Sequence, residues 1–404
     1  MLFPTIQFGI FFPIVFLGSW LLRPYPIRWR LFMILASYVF YGWWDWRFCF
    51  LLAASTVANQ VFTAGVCATR GGAKRAVLTL AVVANLGVLA YFKYYDFFRS
   101  SVVSGFSRLG VHVSPPVLDI VLPIGISFFT FQALSYVIDA FRGKVATAPF
   151  LDFAVYLSFF PHLVAGPIVR ASEFLPQLKE PADPRRIDSS RAFRLIVGGL
   201  FKKVVVSSFL ASAIVDPVFA APRAHSGLEA LFAVYGYAVQ IYTDFSGYTD
   251  IAIGCALLLG VVFPPNFNSP YTARSLQDFW RRWHMTLSRF LRDYLYVSLG
   301  GNRSTKYATY RNLLLTMVIG GLWHGASWTF VVWGAIHGVG MAIERGLADR
   351  RASLGIEVPD TIARRVFSTI LTFHIVCLGW IFFRSEERRV GKECTSWCRS
   401  RWSP

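Results

Sequence analysis

Charge is scarce in this chain, and acidic charge scarcest. Asp, Glu, Lys and Arg make up 15% of 404 residues, and only 22 residues are acidic. A soluble domain ordinarily carries about 25% charged residues, so a fully water-exposed globule is excluded. Cysteine is sparse as well, at six residues. Cys49, Cys67, Cys255 and Cys377 fall singly within apolar stretches, where a free thiol behaves as a small hydrophobe. The paired Cys-x-x-Cys elements of a zinc site are missing, and no metal is expected. There is no repeat of fixed period and no soluble domain; the longest polar loop runs from about Arg170 to Arg191. Short-period alternation is also lacking, which argues against a membrane barrel. Met1 to Trp20 has neither a basic leader region nor a small-residue cleavage site, so it reads as a retained span.

What is present is apolar. Hydrophobic residues make up 55% of the chain and the mean hydropathy is +0.49. Stretches long enough to cross a bilayer recur around 5–22, 31–52, 53–69, 76–98, 118–140, 194–220, 228–262, 312–343 and 366–383. They predict an all-α, polytopic integral membrane protein of roughly eight to eleven passes. A net charge of +18 raises nucleic acid as a partner. In a membrane protein the same excess collects in cytoplasmic loops beside anionic lipid, so the bilayer is the expected partner and nucleic acid is not. Arg23, Arg28 and Arg30, with Arg70, Lys74 and Arg75, fit that rule if the N-terminus faces outward. Trp43, Trp44 and Trp46 then lie in an external turn.

Four segments depart from plain spans. Around 151–169, Pro161, His162 and Pro167 interrupt an apolar run; a full crossing here would put the basic loop at Arg170, Lys179, Arg185 and Arg186 outside. A broken, re-entrant segment resolves the conflict, and such backbone survives only inside protein or along a cavity. Between Trp280 and Tyr294, a helical period places Trp280, Trp283, Leu287, Phe290, Leu291 and Tyr294 on one arc, with Arg281, Arg282, Arg289, Arg292 and Asp293 opposite. This predicts one amphipathic interfacial helix, with His284 at the edge of its apolar stripe beside Ser288. From Tyr235 to Leu259 an apolar stretch carries Tyr242, Asp244 and Asp250. Carboxylates at membrane depth imply partners or a watery passage, or else bonds to neighbouring helices around Gly247. Finally, Gly320 to Trp328 sets His324 in an apolar run, where an ionisable group is costly. Histidine suits proton transfer near neutrality; the alternative is a neutral histidine bonded across helices.

From Glu386 onward the hydrophobic period ends. The stretch 386–404 reads as a non-native tail resembling translated cloning sequence, after a membrane domain of 1–385 cut short beyond Phe383-Arg384-Ser385.

Taken together, the segments Leu122–Gln132, Phe160–Ile168, Tyr242–Tyr248, Phe279–Ser288 and Trp323–Gly325 resemble the membrane-bound O-acyltransferase superfamily, in its bacterial alginate O-acetylation branch. The resemblance covers about residues 1–385. It implies a helical fold with re-entrant and interfacial helices around a central passage, lined by Trp323, Tyr242, Asp244, Asp250 and His162. His324 corresponds to the family's catalytic histidine and His284 to the second active-site histidine of the bacterial branch. The implied reaction moves acetyl from a cytosolic thioester, acetyl-CoA, toward hydroxyls of an exported polysaccharide such as alginate. Arg281, Arg282, Arg289 and Arg292 suit the donor's phosphates, and no tightly bound cofactor is expected. A periplasmic acetyltransferase partner and the bacterial inner membrane complete the expectation. Two alternatives stand beside it. One is D-alanyl transfer to teichoic acid from a carrier protein. The other is a transporter with an Asp244, Asp250, His284 and His324 relay, which inverted repeats would favour; none is evident.

Overall fold

Every regular element among the described residues is a helix. The structure is a computed structural model; it describes residues 1–118, 120–179, 182–303, 305–357 and 359–399, with side chains as far as Ser385. The side chains of the expected tail therefore lie outside the described set. In chain order the helices are α1 (Ile6–Leu22), α2 (Pro26–Gly42), α3 (Arg47–Ala68), α4 (Gly71–Arg108), α5 (Ile126–Phe141), α6 (Phe150–Ser158), α7 (Phe160–Leu163), α8 (Ala171–Phe174) and α9 (Ser189–Leu200). Then come α10 (Ser208–Leu210) and α11 (Asp216–Ala220), joined by wider π-type turns, and α12 (Gly227–Leu258). The last are α13 (Leu276–Arg282), α14 (Met285–Phe290), α15 (Lys306–His324), α16 (Trp328–Ser353) and α17 (Ile362–Arg399).

The chain divides into two units, one of Met1–Lys203 with Ser246–Pro265 and one of Val204–Phe245 with Asn266–Pro404. In the first, α1 shows what solvent these helices are built for. Phe8, Phe11, Val15 and Ser19 pack inward, while Ile6, Ile10, Ile14, Leu17 and Leu21 form an exposed stripe. A helix apolar on both faces belongs in lipid. Phe3, Phe8, Phe11, Phe40 and Phe160 knit the core, with ring centres between 4.8 and 6.3 Å apart for the contacting pairs. Some of the polar residues in this setting are paired across helices. Asn59 on α3 and Asn85 on α4 exchange amide hydrogen bonds of 3.1 and 2.8 Å, and Arg30 on α2 pairs with Asp152 on α6.

The interruption expected within 151–169 is present. Phe159 leaves the helical region with ψ 109°, and α7 restarts with Pro161 in its first turn. The amide of Phe160, released from the ladder, donates to Ser37 Oγ at 3.1 Å. Gly247 has a packing role. A Cβ there would stand 2.7 Å from the Gly199 carbonyl oxygen, and one on Gly199 would stand 2.6 Å from that of Gly247. The α9 and α12 backbones thus meet through two residues that cannot enlarge.

In the second unit, the apolar run at 312–343 is two helices. The chain breaks at Gly325 to Ser327, and Ser327 caps α16 by accepting from Thr329 N–H at 3.3 Å. Helices α15 and α16 close against each other because Gly321 faces the Phe330 carbonyl and Gly334 faces that of Met317. A Cβ at either would fall 2.2 or 2.4 Å from the oxygen.

Among the described residues, four stretches are long and apolar enough to cross a membrane: Arg47–Ala68, Gly71–Arg108, Ser189–Ala220 and Ile362–Ser385. Ile6–Leu22 and Ile126–Phe141 are shorter apolar helices. Eight to eleven passes were expected; among the described residues, length and composition alone mark these four. The protein is a multi-pass, all-α membrane protein.

Candidate active site

The segment read as one amphipathic helix is broken at its centre. Helix α13 stops at Arg282, Trp283 is extended with ψ 129°, and His284 takes the left-handed conformation at φ 42°, ψ 55° before α14 begins. The cause lies in residues 266–268. Asn268 N–H donates to the Arg282 carbonyl at 2.9 Å, and Met285 N–H donates to the Asn266 carbonyl at 2.9 Å. Two backbone bonds to this upstream segment replace the helical bonds that would have carried α13 onward. The side-chain pattern survives the break, since Trp280, Trp283, Leu287, Phe290, Leu291 and Tyr294 are all buried.

Helix α13 is anchored at both ends. Ser275 Oγ caps it by accepting from Asp278 N–H at 3.0 Å, and the Glu344 carboxylate on α16 accepts from Leu276 N–H at 2.8 Å. Near its other end, Trp280 Nε1–H donates to Nδ1 of His337 at 3.3 Å, a histidine on α16 with no exposed surface.

His284 is 1% exposed. Its Nδ1 lies 3.2 Å from Oδ1 of Asn266, itself 2% exposed, and its Nε2 has no hydrogen-bond partner among the described residues. The Phe245 ring meets the imidazole edge-on at 4.7 Å between centres. His324 is the last residue of α15, half-buried, against Trp333 at 5.0 Å and Phe383 at 5.2 Å. The indole of Trp323 stands beside both histidines, 6.1 Å from His284 and 4.9 Å from His324. Residues 40 apart in sequence are thus brought to one aromatic side chain.

The other expected site residues fall as follows. Tyr242 packs on Phe267, Tyr271 and Trp283 in the same unit, and Asp244 accepts from Ser207 Oγ at 3.3 Å. Asp250 belongs to the first unit, paired with Lys202. His162 also belongs there, fully buried among Tyr156, Phe159, Phe174 and Phe263, with Nε2 2.8 Å from the Tyr156 carbonyl. Of the arginines, Arg281 is exposed. Arg282 pairs with Asp278 at 2.8 Å, Arg292 pairs with Asp293 at 2.7 Å, and Arg289 is half-buried. The described His, Cys, Asp and Glu side chains form no cluster suited to a metal ion.

Residue reasoning missed Asn266, which reads as part of a turn. Its neighbours Asn268, Ser269 and Pro270 do form one, with Ser269 left-handed at φ 44°. Nothing local marks Asn266 as buried, because its burial depends on residues 282–286 returning to it.

Residues 75–357 match the sequence profile of the membrane-bound O-acyltransferase family. The chain belongs to that family. Among its relatives is a probable alginate O-acetylase of Azotobacter vinelandii, 44% identical over 96% of this chain and 75% of the relative. The corresponding protein of Pseudomonas aeruginosa is 42% identical over 96% and 73%. A peptidoglycan O-acetyltransferase of Helicobacter pylori is 38% identical over 93% and 75%. This membrane-bound O-acyltransferase is therefore an enzyme, and the transporter alternative falls away.

Proposed function

We propose that this acyltransferase moves acetyl groups from a cytosolic thioester donor, acetyl-CoA, across the bacterial inner membrane for O-acetylation of an exported polysaccharide. The observation that carries this reading is the pair of histidines flanking Trp323 in the second unit. Support for acetyl and for a glycan comes from relatives named for alginate and peptidoglycan O-acetylation. The more similar ones are named as probable alginate O-acetylases. A teichoic acid D-alanyltransferase of Streptococcus thermophilus is 26% identical over 64% of this chain, a shorter and weaker likeness that favours acetyl over D-alanyl.

In the proposed step, His324 removes the proton from an acceptor hydroxyl as its oxygen bonds to the thioester carbonyl carbon. The carbon–sulfur bond then breaks, and the departing thiolate takes the proton from the imidazolium. A positioned base of this kind contributes about 10²–10⁴-fold in rate. Tyr242 and Asp244, in the same unit as both histidines, are assigned to the passage. Arg281 is the arginine best able to meet donor phosphates, since Arg282 and Arg292 already hold carboxylates. A periplasmic acetyltransferase receives the group and modifies the sugar. Expression in a bacterium lacking its own membrane acetylase tests the reading. Restored O-acetyl groups on the exported polysaccharide are expected; a glycan that stays unacetylated with the protein present in the membrane would overturn it.

A further inference from the structure

The atoms around Asn266 decide which nitrogen of His284 carries the proton. Oδ1 of Asn266 lies 3.2 Å from the Thr286 backbone nitrogen and 2.9 Å from Thr286 Oγ1, as well as 3.2 Å from His284 Nδ1. A backbone N–H only donates, so the amide atom facing it is an oxygen and its assignment does not rest on choice. An oxygen accepts only; the imidazole nitrogen facing it must therefore donate. A neutral ring with its proton on Nδ1 has a bare lone pair on Nε2. That second nitrogen is buried and without a partner among the described residues. A buried polar atom left free in this way is costly and calls for an occupant.

We propose that Asn266 is a positioning residue that holds His284 in the Nδ1–H tautomer, so that Nε2 enters the reaction as a hydrogen-bond acceptor for the hydroxyl hydrogen of the acceptor substrate. This deepens the acyl-transfer reading and rests on it for the identity of the substrate. It excludes one role for His284, that of donating a hydrogen bond to the thioester carbonyl oxygen in the resting enzyme. The arrangement parallels other catalytic histidines whose tautomer is set by a carboxylate or amide oxygen on the far nitrogen. The left-handed backbone at His284 serves the same end. With residues 285 and 268 bonded to 266 and 282, the ring is delivered to Asn266 by backbone contacts rather than by the run of a helix. Strain held in place at a site by surrounding contacts is a recurrent device.

The test reads the proton directly. The full chain, labelled with ¹⁵N-histidine in lipid, is compared with His284→Gln to assign the His284 signals. The expected spectrum shows Nδ1 protonated and Nε2 bare; a protonated Nε2 overturns the proposal whatever the enzyme's activity. In Asn266→Leu the two tautomers are expected to mix, and kcat for thioester consumption is expected to fall about 10²–10⁴-fold, with KM little changed. Asn266→Asp, which keeps an oxygen at the position, is expected to restore the tautomer. An unchanged tautomer in Asn266→Leu would make Asn266 merely structural and defeat the proposal. A wild-type protein with the expected spectrum but no acyl transfer would sink the functional reading alone.

Discussion

At the scale of single residues, His324 stood out because an ionisable ring in an apolar run needs a reason, and His284 because it sits at the edge of an amphipathic stripe. Asn266 was not, since asparagine beside Asn268, Ser269 and Pro270 carries the ordinary signature of a turn. His284 illustrates what backbone geometry adds to side-chain chemistry. A non-glycine residue in the left-handed region costs roughly 1–2 kcal/mol, and His284 sits there at φ 42°. Glycine avoids most of that cost. Both His284→Gly and His284→Ala lose the bond to Asn266, so their difference isolates the backbone. His284→Gly is expected to be the more stable of the two by about 1 kcal/mol, measured by thermal unfolding in detergent. Equal melting would mean that the surrounding bonds relax the conformation once the imidazole is gone.

At the scale of elements, helical periodicity found the buried face of 280–294 but not the break within it. The pattern of apolar side chains continues through the break, and the bonds that cause it come from residues 266 and 268. The split of 312–343 was more accessible, because Ser327 after Gly325 is an N-cap signal. The α15–α16 hairpin depends on glycine at the crossing. Gly321→Val places carbon against the Phe330 carbonyl, where a Cβ falls 2.2 Å away. A loss of about 1–3 kcal/mol or more is expected. Gly87→Val, on α4 with open space around it, should melt as the parent does; if both behave alike, the close approach is not what holds the hairpin. The Lys202–Asp250 pair of the first unit gives a second test. Removing one charge strands the other in a poorly hydrated setting. Lys202→Met is therefore expected to destabilise more than Lys202→Met with Asp250→Leu, and the reverse order would show that the pair is solvated.

At the scale of the molecule, composition established a membrane protein without ambiguity. Hydropathy counts apolar length; it does not see that Gly325 or Trp43 ends a helix. The ordered motifs carried the family, which covers residues 75–357. Net positive charge bears on the donor. If the exposed Arg281 meets donor phosphates, Arg281→Ala should raise KM for acetyl-CoA, and the difference from the parent should shrink as salt screens the attraction. An unchanged KM at low salt would remove the arginine from the donor site. The central claim is that His324 performs acyl-transfer chemistry, and thioester consumption by purified protein reads it most directly. With labelled acetyl-CoA, the parent chain is expected to release coenzyme thiol about 10²–10⁴-fold faster than His324→Ala, both proteins unfolding at the same temperature. Equal rates from the two folded proteins would contradict the account.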